Sequence, residues 1–239
     1  MLIISGLVAA LMIPVAFLVR SPPALGSPGA AAAADGDSGP EMTRGQALRS
    51  PQFITLMLTN FFCCATHSGP IFHTVSYAVT CGIPLILAVS IYSVEGLAGL
   101  GGRVAFGLLG DRLGAKRVLV AGLLAQALGT LAYLTARELA TFYTVAAIFG
   151  FIYSGVMPLY SVIARENFPL PMMGMVIGGM AMAGGLGMST GPVIGGAIYD
   201  AYDTYSWLFV TCFCLGVGAF LIGMTFKPFP RRPAVAAPA

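Results

Sequence analysis

Charge is what this 239-residue sequence has least of: 9% of residues are Asp, Glu, Lys or Arg, whereas 57% are hydrophobic and the mean hydropathy is +0.87. An ordinary soluble domain carries about 25% charged residues, and so few polar side chains cannot coat a water-exposed surface. Period-two alternation is missing from the long apolar runs, which excludes membrane β-strands. The five cysteines, Cys63, Cys64, Cys81, Cys212 and Cys214, have no C-x-x-C ligand spacing and read as small buried apolar residues. Two histidines are present, His67 and His73. Six residues apart on one helix, they diverge by about 120° and form no metal pair. No cluster of His, Asp, Glu and Ser supplies an enzyme, no metal or cofactor is expected, and a net charge of +3 gives no argument for nucleic acid.

What is there is a series of apolar runs of about 20 residues, the length that spans a bilayer core. Leu2 to Val19 is the first, ending at Arg20 and interrupted by Pro14; no Lys or Arg precedes it, which argues against a signal peptide. Residues 21–52 are rich in Pro, Gly, Ala and Ser and read as a flexible linker, with a short interfacial helix in EMTRGQALRS. Further spans are expected at Phe53–Val79, Pro84–Leu109, Val118–Thr135, Thr141–Ala164, Met172–Tyr199 and Trp207–Phe226. The fold class is therefore an all-α polytopic membrane protein with seven transmembrane helices. Residues 1–20 form the first helix, 21–52 the linker, 53–228 a six-helix unit and 229–239 a tail.

Lys and Arg positions set the expected orientation. With the linker in the cytoplasm, ten fall inside: Arg20, Arg44, Arg49, Arg112, Lys116, Arg117, Arg165, Lys227, Arg231 and Arg232. Arg137 alone falls outside, and Arg103 lies within a span. The N-terminus is then outside and the C-terminus cytoplasmic.

Arg103 is the sharpest single feature. A cation in mid-span costs at least about 2.5 kcal/mol, so it must meet protein or a water-filled cavity. Steps of three or four residues give Gly96, Gly99, Arg103, Gly107 and Gly110, a stripe on which a neighbouring helix can approach closely. Glu95 stands eight residues before Arg103, about 80° around the helix and roughly 12 Å along it, too far for a direct bond. It reads either as a buried proton carrier or as a solvated group near the membrane surface. Asn60, His73 and Tyr153 are further cavity-lining candidates. The glycine-rich helix after Met172 is not a nucleotide loop, because no Lys-Ser or Lys-Thr follows its glycines.

Between two spans stands GLLGDRLGAKR, Gly107 to Arg117, a glycine followed by D-R-x-G and basic residues. Gly178, Gly187, Gly191, Pro192, Gly195 and Gly196 follow the spacing G-x8-G-x3-G-P-x2-G-G. Both resemble signature motifs of the major facilitator superfamily of secondary transporters. HTVSYAVTCGI from His73, ARENFP from Ala164 and GGAIYDAYDTYSW from Gly195 resemble its bacterial monocarboxylate and oxalate-formate antiporter-like branch.

The resemblance implies that the chain is helix six, the central loop and helices seven to twelve, the last six forming one half-bundle. The N-terminal half is the rival assignment, because both motifs recur by pseudo-symmetry. It implies alternating-access symport or antiport of small organic anions, with protons as a candidate coupling ion, in a bacterial inner membrane. Arg103 would bind the substrate carboxylate. The branch's second cation, a lysine in helix eleven, has no counterpart in Met172–Tyr199, which favours a monocarboxylate over a dicarboxylate. Gly107, Asp111, Arg112, Gly114, Lys116 and Arg117 would form a gating loop, with Asp111 latching a helix of the opposite half. The partners implied are the lipid bilayer and either an N-terminal half or a second copy. A non-transporting subunit or truncated gene product is the alternative.

Overall fold

A computed structural model describes residues 43–229, together with Ala10 and Pro14. The helices below all belong to one compact unit, Gly39–Pro233. Apart from Ala10 and Pro14, the expected first span lies outside the described residues, as do the linker up to residue 42 and the tail from residue 230.

A short helix comes first, α1 (Arg44–Arg49), where the interfacial helix was expected. It opens on a capping box: Thr43 Oγ1 accepts from the Gln46 amide at 3.3 Å, and Gln46 Oε1 accepts from the Thr43 amide at 2.8 Å. Six long helices follow: α2 (Pro51–Thr80), α3 (Leu85–Leu113), α4 (Ala115–Ala132), α5 (Leu139–Asn167), α6 (Met173–Tyr202) and α7 (Ser206–Thr225). Ser50 caps α2 through Phe53 N at 3.2 Å, with Pro51 at the first helical position, where it is tolerated. Five of the six, α3 to α7, are long and apolar enough to cross a membrane. The sixth, α2, has 30 residues but buries Thr59, Asn60, Thr66, His67, Ser68 and Thr74 against its neighbours. It is the polar helix at the centre of the unit.

The main crossings are α2 with α6, α3 with α5, α2 with α7, α4 with α5, and α4 with α7. Exchanging α2 with α5, α3 with α6 and α4 with α7 leaves that set unchanged. Pro70 and Pro158 are each the twentieth residue of their helices, counted from Pro51 and Leu139. The unit is thus built as two three-helix repeats of opposite direction, an arrangement common in transporter folds.

Apolar packing divides into two clusters. One joins Ala47, Leu56, Val118, Leu159, Phe168 and Phe226 at the end carrying α1, the α3–α4 joint and the α5–α6 turn. The other joins Tyr77, Ile91, Tyr133, Phe142, Tyr205 and Phe209 at the opposite end. Along α2, the buried polar residues Asn60, Thr66, His67, Ser68 and Thr74 lie between Leu56 of the first cluster and Tyr77 of the second.

The segment between α3 and α4 departs from the expected loop. Here α3 continues through Asp111 and Arg112 to Leu113, and α4 starts at Ala115, so Gly114 alone makes the joint. Its φ of 90° is open to glycine and strained for other residues, which lets the chain reverse in one step. The charged residues therefore stay helical and extend the two rods beyond their apolar parts.

Candidate functional site

Glycines mediate two of the crossings, α2 with α6 and α3 with α5. Along α6, a Cβ on Gly187 would collide with the Phe61 carbonyl and Cys64, one on Gly191 with Ser68 and Gly69, and one on Gly195 with the His73 ring. Asn60 Nδ2 donates to the Met180 carbonyl at 2.7 Å and ties the same pair of helices. Gly178 and Gly196 have open space where a Cβ would stand. His73 is half-buried, its ring 5.3 Å from that of Tyr205.

The α3–α5 crossing corrects the expected glycine stripe. The buried positions are Glu95, Gly99, Gly102 and Gly110, whereas Gly96 and Gly107 have nothing within reach of a Cβ. Gly102 lies against the Phe151 backbone so closely that a Cβ would overlap it. Arg103 follows Gly102 and so stands about 100° around the helix from the interlocked face. It is exposed on this unit, with no hydrogen bond or ion pair among the described residues.

Glu95 is 2% exposed, which overturns its reading as a solvated surface group. It packs on Gly150 of α5, and its carboxylate faces the Tyr153 hydroxyl. Tyr92, Tyr133 and Tyr153 lie within electrostatic range of it, and Arg103 within range of Tyr153. Glu95 and Arg103 form no ion pair. Tyr153 is stacked on His67 with ring centroids 4.9 Å apart, linking α5 to α2. Behind His67 stands Gln126 of α4, whose Nε2 donates to the Cys63 carbonyl at 2.9 Å and lies 3.3 Å from His67 Nδ1. An amide nitrogen can only donate, so this contact needs Nδ1 unprotonated. Gln126, missed in the sequence, is fully buried and joins α2 to α4. A glutamine inside an otherwise apolar run is the signal that could have found it.

Sequence candidates therefore separate into three groups. Tyr153 and Glu95 are brought together, with His67 behind them. Asn60 and His73 sit at the α2–α6 crossing, and Arg103 stands apart on the open side of α3. Asp111, Arg112 and Arg117 are exposed at one end of the unit, beside partly covered Lys116. Among the described residues, no three His, Cys, Asp or Glu side chains gather as metal ligands.

Six long helices in two inverted repeats, with polar groups collected between apolar ends, define an integral membrane protein of transporter type. A family profile of the Major Facilitator Superfamily matches residues 102–239, more than half of the sequence, and the chain belongs to that superfamily. It is a family of transporters, not of enzymes. The chain is 29% identical over 136 residues to "Uncharacterized MFS-type transporter YuxJ" of Bacillus subtilis (strain 168), covering 57% of this chain and 35% of that relative. It is 30% identical over 177 residues to "MFS-type transporter opdF" of Penicillium oxalicum, covering 74% of this chain and 41% of that one. The chain thus spans well under half the length of either curated relative.

Proposed function

We propose that this chain supplies the C-terminal half, with the preceding helix six, of a secondary transporter of small organic anions, monocarboxylates best fitting its single mid-span cation. Helices α2 to α7 act as helices seven to twelve. The α1 end faces the cytoplasm: among the described residues it carries Arg44, Arg49, Arg112, Lys116, Arg117, Arg165 and Lys227, against Arg137 at the other end. In this reading the substrate binds at the midplane between this unit and an opposite half, and the two rock against each other.

The observation that carries the proposal is the exposure of Arg103. A guanidinium in mid-helix, unpaired within its own unit, is too costly to face lipid, so it faces a water-filled cavity shared with the opposite half. There its planar fork suits a carboxylate, which it can bind through two parallel hydrogen bonds. Asp111 supports the gating part of the reading. It stands in the last turn of α3, where the helix dipole is negative, and Lys116 and Arg117 stand in the first turn of α4, where it is positive. Charges placed against both local dipoles are best satisfied by a partner outside the unit.

The test is chemical protection of Arg103 in the reconstituted chain. A dicarbonyl reagent specific for arginine should modify Arg103, read by mass spectrometry. Lactate should slow that modification several-fold, and the uncharged analogue lactamide should not. Equal modification with lactate and lactamide would count against an anion site at Arg103.

A further inference from the structure

Asn167 and Phe168, in the middle of the ARENFP segment, are almost completely buried where α5 ends. The Asn167 amide is oriented by its own helix: Nδ2 donates to the Ile163 carbonyl at 2.8 Å, which turns Oδ1 outward as an acceptor. Oδ1 accepts from the backbone amide of Phe229 at 3.1 Å, 62 residues further along the chain. Helix α7 ends at Thr225, so Lys227, Pro228 and Phe229 run from it across the end of α5. The Phe229 ring stands edge-on to that of Phe168, centroids 5.7 Å apart, and Phe168 stands edge-on to Phe53 in the first turn of α2 at 6.3 Å. Phe53 in turn lies over Gly179 of α6, where a Cβ would be 3.0 Å from its ring. Residues from α7's end, α5, α2 and α6 are thus joined in one line at the α1 end. The line connects the two glycine-interlocked pairs, α5 being locked to α3 and α2 to α6. The next tie inward is the Tyr160 hydroxyl, which donates to the Thr59 carbonyl at 3.2 Å. Tyr160 stands about two turns before Asn167. At the opposite end, the Tyr92 hydroxyl donates to the Ile71 carbonyl and Arg137 to the Tyr77 hydroxyl, which tie α3 and the α4–α5 turn to α2.

We propose that Lys227–Phe229 is a releasable strap. Docked on Asn167 and Phe168, it holds the α5–α6 turn against α2 and keeps the α1 end of the unit shut. Undocked, it lets the two interlocked pairs part at that end as far as the tie between Tyr160 and Thr59. The fastening is slight enough to release: one hydrogen bond and one ring contact hold it, Lys227 and Pro228 are exposed, and Phe229 is half-buried. The packing around it is also adaptable. Met57, Met157, Met172, Met173 and Met175 are partly buried against the same apolar cluster as Phe53 and Phe229, and unbranched thioether side chains repack around a moving neighbour at low cost. The opposite end, held by Tyr92 and Arg137, stays closed in both states, so the strap decides which end of the unit loosens first. Its role in substrate access rests on the transporter reading above, whereas its docking does not.

The experiment is hydrogen–deuterium exchange of the full chain in lipid nanodiscs, read by mass spectrometry, for the wild type, Phe229→Ala, Phe229→Leu and Lys227→Ala. In Phe229→Ala, peptides covering residues 51–58 and 163–173 should exchange about tenfold faster, the effect of losing roughly 1.4 kcal/mol of local stability. Peptides covering 133–142 and 203–209, at the opposite end, should keep their wild-type rates. Phe229→Leu keeps an apolar side chain but loses the ring edge, so it should move the same peptides by less, and it supplies the test if the alanine variant does not fold. Lys227→Ala, at an exposed position, should match the wild type. Unchanged exchange at 51–58 and 163–173 in both Phe229 variants would overturn the proposal. So would an equal rise at both ends, which would make Phe229 part of the general packing and not a strap. A negative result for lactate protection of Arg103 bears on the anion reading and leaves this one standing.

Discussion

Gly102 and Arg103 are adjacent in the chain and opposite in circumstance, one locked against a backbone and the other unpaired. Gly102→Ala should destabilise the unit by about 1 to 3 kcal/mol, as overpacking does, because the Phe151 backbone must move. Gly96→Ala, with open space around it, should leave the thermal unfolding midpoint unchanged. Arg103→Ala should likewise leave that midpoint unchanged, since the side chain has no partner to lose; a clear drop would show that it braces the unit. Gln126→Leu should cost about 0.6 to 1.7 kcal/mol, the range of interhelical hydrogen bonds in membranes, read by the same unfolding assay. At this scale the sequence showed which residues were unusual but not which way they faced. A stripe drawn through Arg103 and one drawn through Gly102 differ by one residue, and only the interlock with Gly150 and Ser154 selects between them. Glu95 was legible as an intramembrane acid, but its burial depended on Gly150, 55 residues away, which no local pattern announces.

The helices themselves were legible because 20-residue apolar runs have few alternatives in a bilayer, and each expected span after the linker corresponds to one structural helix with its ends shifted by a few residues. Their ends were less so. Residues 107–117 read as a loop because charge interrupts two apolar runs, yet a single glycine at φ 90° suffices for the reversal and the charges remain helical. The consequence is testable in Asp111, whose carboxylate stands at the negative end of α3 with no hydrogen bond or ion pair among the described residues. Asp111→Asn should leave the unfolding midpoint of this chain unchanged or slightly raised, by the 0.3 to about 1 kcal/mol of an exposed charge at a helix end. A loss of stability would place its partner inside this unit instead of in an opposite half. The α2–α6 crossing was partly readable, since the glycine-proline spacing marks α6 as a close-packing helix. That its partner is α2, through Phe61, Ser68 and His73, came only from the fold.

At the scale of the whole unit, inverted repeats explain why the two glycine crossings are counterparts and why Pro70 and Pro158 recur at equivalent positions of α2 and α5. In the function proposed above, the unit forms one wall of an anion pathway and needs an opposing half to complete it. Its most direct test is uptake of radioactive lactate by liposomes containing only this chain, with and without Arg103→Ala. Neither protein should give saturable uptake. Saturable uptake by the wild-type chain that disappears in Arg103→Ala would contradict it, and would show that this chain builds a complete pathway by itself or with copies of itself.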